Sequence, residues 1–184
     1  TLLMLLAPLV ALSTIVEPAE EPSILIDEEP DFDSGKTATN PLGWEWVTKD
    51  SNAGYVWTRQ VESDSYGNIY VSGIYRGGSL SLDYHHALNN GGLDVFVAKF
   101  SSLGDCVWLT TFGGLLDEHV EDMIVSSSAG DVYVVGSFDS PQFNASSTLL
   151  NNSGSRDAFV VSIGANNGAI SWGNSVNGAG YDNI

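Results

Sequence analysis

The chain reads as an all-β protein assembled from repeated four-stranded units, on three observations. First, "YGNIYVSGIY" (Tyr66 to Tyr75) returns as "AGDVYVVGSF" (Ala129 to Phe138): Gly67 and Gly130 stand 63 residues apart, and Tyr70, Val71 and Gly73 fall on Tyr133, Val134 and Gly136 at the same offset. A fixed period of this length is the signature of stacked structural repeats. Second, each period holds four short runs rich in Val, Ile, Tyr and Phe, separated by Gly, Asn, Asp and Ser clusters that favour turns. Third, none of these runs has helical spacing, and "IYVSGIY" and "VYVVGSF" are apolar on both faces, which calls for cover on both sides.

The strands are expected, in order, at Tyr55–Val61, Asn68–Tyr75, Asp94–Phe100 and Cys106–Phe112 in the first unit. In the second they are expected at His119–Val125, Asp131–Phe138, Asp157–Ile163 and Ala169–Val176, with longer loops near 76–92 and 139–156. Four strands per repeat at this period describe a β-propeller blade. The prediction is two complete four-stranded antiparallel blades plus partial units of a larger ring, and no helix of more than three turns within residues 54–176. Gly73 and Gly136 mark sites where another backbone approaches closely or the strand bends.

The echo continues beyond the second strand. Asp94 falls on Asp157, Phe96 on Phe159 and Val97 on Val160, while Trp108 is followed 64 residues later by Trp172. Each Trp stands four residues after a glycine, Gly104 and Gly168, and is expected as a largely buried plate between neighbouring blades, with Trp172 more exposed if its next blade is missing. Trp46 precedes Trp108 by 62 residues, so "LGWEWVT" occupies a fourth-strand position, and "GAGYDNI" enters a third unit. The expectation is a fragment of a longer protein whose ring holds further copies, the segment around Trp46 completing the final blade.

Residues 1–16 are apolar without a charge, which suits a secretory signal or another apolar N-terminal segment. Residues 17–33 carry eight acids and no base, with Pro18, Pro22 and Pro30 among them, so 17–40 reads as a disordered spacer before repeats at 41–184. The net charge of −17 opposes nucleic-acid binding, since no basic patch exists to meet phosphate. Membrane contact is expected only through the N-terminal segment, if it is uncleaved.

Leu93 to Phe138 resembles the SBBP β-propeller repeat: Asp-x-Phe-Val-Ala-Lys, Gly-x-x-x-Trp, Gly-Gly-x-x-Asp and Gly-x-x-Tyr-Val-x-Gly. Asp94, Phe96, Val97, Ala98, Lys99, Gly104, Trp108, Gly113, Gly114, Asp117, Gly130, Tyr133, Val134 and Gly136 carry the match, which extends over about Trp46 to Ile184. Val161-Ser162 departs from Ala98-Lys99, and the unit is longer than the family's. The resemblance implies a propeller domain of exported or surface proteins whose matched positions are structural.

Catalytic motifs are absent: there is no Gly-x-Ser-x-Gly elbow, phosphate-cradling loop or His-Glu-x-x-His helix. Cys106, the single cysteine, reads as a small buried hydrophobe. His85 and His86, with Asp83 nearby, are the best zinc candidates, but they sit in an expected loop and adjacent side chains rarely share one ion. Asp117-Glu118, Glu121-Asp122 and the Asp64/Asn68 turn offer oxygen ligands for calcium, though a solvated acidic turn is favoured without an Asp-x-Asp-x-Asp-Gly loop. No other cofactor is expected. Asn144 and Asn151 head glycosylation sequons. The function expected is a non-catalytic secreted or cell-surface scaffold that binds protein or glycan at its loops. The alternative is a propeller enzyme, carbohydrate-active or quinoprotein-like, because "GANNGAISW" loosely resembles the docking motif of quinoproteins.

Overall fold

The computed structural model describes residues 2–3, 48–49, 53–126, 130–145 and 147–182. Among these every regular element is a strand. The short β1 (Leu2–Leu3) pairs antiparallel with β2 (Thr48–Lys49). The rest of the apolar N-terminal segment, the spacer at 17–40 and Trp46 lie outside the described residues.

Two antiparallel meanders follow. The first sheet contains β3 (Ala53–Ser63), β4 (Ile69–Leu82), β6 (Asp94–Phe100) and β7 (Cys106–Phe112) as neighbours in that order, with β5 (His85–Leu88) paired to the far end of β4. The second contains β8 (Glu118–Val125), β9 (Asp131–Phe138), β12 (Asp157–Gly164) and β13 (Ile170–Val176), while β10 (Gln142–Ala145) and β11 (Thr148–Asn151) form a separate hairpin. All eight expected strands are present, and the protein is all-β.

The long connections are not loops. In the first, Gly77 and Gly78 both adopt left-handed backbone (φ 77° and 68°) and redirect β4, so that Ser79–Leu82 pairs with His85–Leu88. Leu80 and Leu82 are buried, and the Ser-Leu-Ser-Leu alternation supplies the apolar face that holds this hairpin down. In the second, Phe143, Ala145 and Leu150 are buried from β10 and β11.

Gly73 and Gly136 each lie beside an irregularity in the first strand of their sheet, between Thr58 and Gln60 and between Val120 and Asp122. The bulge pushes the Trp57 or His119 carbonyl into the space a side chain would need, and Phe96 or Phe159 packs over the glycine. Gly136→Ala is expected to destabilise the fold by about 1–3 kcal/mol in urea titration, as overpacking does. Gly180→Ala, with open space around it, should change stability by less than about 0.5 kcal/mol. Equal effects would contradict this account.

The sheets stack with opposite faces in contact. Tyr70, Val95, Val97, Trp108 and Phe112, on one face of the first sheet, share a core with Val134, Phe138, Phe159, Val161 and Ile163 of the second. The partners are not equivalents: the first-sheet counterparts of Val134, Phe159, Val161 and Ile163 are Val71, Phe96, Ala98 and Phe100, which form a separate core on the other face. The two units therefore meet front to back. Trp108 is 5% exposed, whereas Trp172 is 41% exposed, the difference expected where no further unit covers Trp172. The reason is physical: the face that carries Trp172 has no third sheet against it among the described residues.

Candidate functional site

At one end of each sheet, where β4 pairs with β6 and β9 with β12, a polar frame repeats whose amides the strand pattern does not reveal. Asn89 donates through Nδ2 to the Tyr75 and Gly92 carbonyls (3.3 and 3.0 Å), and its Oδ1 accepts the Gly91 N–H at 3.2 Å. Asn152 repeats this with the Phe138 carbonyl (3.0 Å) and the Gly154 N–H (2.8 Å). Asp94 accepts the Asn90 N–H at 2.6 Å, and Asp157 accepts the Ser153 N–H at 2.6 Å. The signal was available as Asn-x-Gly-x-x-Asp at 89–94 and 152–157.

Behind this frame lies a buried acid pair. Asp94 and Glu118 are both 0% exposed, and a side chain on Gly113 would strike a carboxylate oxygen of each. Glu118 accepts the Gly114 N–H through Oε2 (2.7 Å) and the Ser140 N–H through Oε1 (3.4 Å), while Asp94 Oδ1 has no hydrogen-bond partner. Burial pushes Glu118 up to about 7 against the pull of those donors, with the neighbouring Asp94 adding to the rise, and burial likewise raises Asp94 to about 6. The backbone arrangement recurs: the Glu118 N–H donates to the Leu93 carbonyl and the Asp182 N–H to the Arg156 carbonyl, both at 2.7 Å. The reading of Asp117-Glu118 as a solvated acidic turn is thus corrected for Glu118. Asp117 is partly exposed and accepts from Arg76 (2.8 Å) and the Leu93 N–H (2.9 Å).

In front of Gly113 opens a cleft of about 270 Å³. The first unit contributes Asn90, Thr111 and Phe112, and the β10–β11 hairpin contributes Gln142, Phe143 and Asn144. Phe112 and Phe143 are nearly buried and stacked, with centroids 5.9 Å apart and planes 17° from parallel, so they fix the hairpin against β7. The polar side chains at the cleft are amides and a hydroxyl, and no charged residue lines it. Such groups both donate and accept hydrogen bonds.

The other sequence candidates are dispersed. His85 and His86 lie on β5 rather than in a loop, on opposite faces; His86 Nδ1 is 2.8 Å from Ser81 Oγ. Asp83, at a left-handed φ of 50°, accepts the Cys106 N–H at 2.7 Å and so ties the hairpin turn to β7. Among the described residues no group of three His, Cys, Asp or Glu side chains comes together. Asp64 accepts from the Tyr66 and Asn68 N–H groups, Asn68 Nδ2 and the Tyr70 hydroxyl at 2.8–3.1 Å, which occupies its lone pairs as a turn brace. Glu121 and Asp122 are exposed on β8. Burial pushes the Cys106 thiol up to about 12, as suits a packing residue. Asn144 and Asn151 are exposed on β10 and β11, not in a loop.

No family model matches the chain. A stretch of 117 residues, 61% of the chain, is 28% identical to the regulatory protein FlaEY of Caulobacter vibrioides, and the match covers 11% of that protein's length.

Proposed function

We propose that this chain is part of a β-propeller of SBBP-type repeats, serving outside the cell as a non-catalytic binding or display scaffold. Two successive meanders stacked front to back support the blade reading, because that stacking repeats around an axis without changing partner type. The cleft between Asn90, Thr111, Gln142 and Asn144 carries the binding reading. Its uncharged donors and acceptors suit a neutral polyol such as a glycan hydroxyl face, and the chain's net charge of −17 disfavours anionic ligands.

Saturation-transfer NMR with cellobiose, lactose and chitobiose, with glucuronate as the anionic control, tests this. Binding of at least one neutral sugar at about millimolar affinity is expected, weakened about fivefold or more by Gln142→Ala with the melting temperature unchanged. No transfer from any neutral sugar, or transfer indifferent to Gln142→Ala, would remove the cleft as the binding site.

A further inference from the structure

We propose that the buried pair Asp94 and Glu118 holds a calcium ion, and that Asp157 and Asp182 form the equivalent site one repeat later. This depends neither on closure of a ring nor on sugar binding. Asp94 and Glu118 are both 0% exposed, and neither forms an ion pair among the described residues. Asp94 Oδ1 also lacks any hydrogen-bond partner among them. Two buried carboxylates without a counter-charge are costly, and one divalent cation relieves both together.

Gly113 sets the place for it. A side chain there would meet Asp94 Oδ1 and Glu118 Oε2 at once, so the two oxygens border one gap that the glycine leaves open. Main-chain donors fix both carboxylates around that gap: the Asn90 N–H holds Asp94 Oδ2 at 2.6 Å, and the Gly114 N–H holds Glu118 Oε2 at 2.7 Å. Gly113 also lines the cleft, so solvent water reaches the residue beside the gap. The second unit repeats the arrangement with a different acid. Asp182, at the position of Glu118, sets Oδ2 beside Gly178; that oxygen is buried and likewise without a partner. The Gly178 N–H donates to Asp157 Oδ1 at 3.4 Å. What the two copies keep is the charge and the open oxygen, not the side-chain length. The donors are all oxygen, which selects a hard cation over zinc. Carboxylates fixed by main-chain bonds suit calcium, which accepts irregular ligand sets, better than magnesium, which demands a near-ideal octahedron. In protein stripped of divalent cations, protons relieve the same oxygens, and the pH behaviour of the pair belongs to that form.

Calcium chloride is titrated into chelator-treated protein at about pH 7.5 and about 0.15 M NaCl, which screens diffuse attraction to the acidic surface. Two-dimensional amide NMR follows the titration. The Asn90, Gly114, Ser153 and Gly178 signals are expected to shift saturably, with a dissociation constant of about 0.1–1 mM. Magnesium should need at least about tenfold more for the same shift. Glu118→Gln should remove the response at Asn90 and Gly114 and leave that at Gly178, while Asp182→Asn should do the reverse. Glu121→Gln, which removes one charge from an exposed site three residues from Glu118, should change neither. No saturable shift, an equal response to magnesium, or a loss with Glu121→Gln as large as with Glu118→Gln would each overturn the assignment.

Discussion

Trp108→Ala is expected to lower the unfolding free energy by about 3–5 kcal/mol, the range for emptying a large aromatic site in a packed core. The ring is 5% exposed, lies edge-on to Tyr70 and covers Gly168, so its loss opens a void between the sheets that neither backbone can fill. It also removes one of the two donors on the Ala165 carbonyl. Trp108→Phe keeps most of the packing and should recover all but about 1–2 kcal/mol, the hydrogen bond and the lost ring volume together. Trp172→Ala, on the uncovered face, should cost less than about 1 kcal/mol. Guanidinium unfolding of the three variants provides the comparison, and similar losses at Trp108 and Trp172 would contradict front-to-back stacking.

Stability is expected to fall as pH rises from about 4.5 to above 7, and Glu118→Gln should abolish much of that fall. Burial raises Glu118 to about 7 and Asp94 to about 6, so the folded protein holds protons that the unfolded chain releases from about pH 4 upward. A raised carboxyl stabilises the fold fully below its unfolded value and loses that contribution as pH passes the folded value. For Glu118 the difference between 4.5 and about 7 corresponds to about 3 kcal/mol. Glutamine keeps an acceptor for the Gly114 N–H, carries no charge, and brings a donor beside the unpartnered Asp94 Oδ1. Denaturant melts at pH 4.5, 6 and 8 should therefore show a shallower slope for the variant and a more stable variant at pH 8. Parallel slopes would mean that the acid pair is not the source.

The strands were legible because their causes are local. "DVFVAKF" and "DAFVVSI" are β-branched and aromatic, bounded by turn residues, and copied at a fixed offset. The β4–β5 hairpin was obscured because Gly77-Gly78 reads as the end of a strand; in the fold two left-handed residues bend the chain and the strand continues. Glu118 was illegible for a different reason. Within "DEHVED" nothing separates it from Glu121, which is exposed, and its burial depends on Gly113, Asp94 and a turn at Ser140 reached only after the next strand pair. The cleft, likewise, joins Asn90 to Gln142 across two repeats, and no spacing along the chain encodes that meeting.

The contact between the units has an asymmetry with evolutionary weight. Trp108, Lys99 and Thr110 supply the side-chain donors that meet the Ala165–Gly168 turn, and the turn answers with main-chain oxygen and a left-handed glycine. Main-chain carbonyls do not mutate. Positions such as Asn166, exposed at the tip of that turn, are therefore free to drift without breaking the contact, and compensating pairs of substitutions are not required. A gene encoding such units can duplicate, delete or exchange them the more readily because, at this turn, a newcomer need only supply a backbone shape; the apolar core beside it asks for volume and not for particular polar pairs.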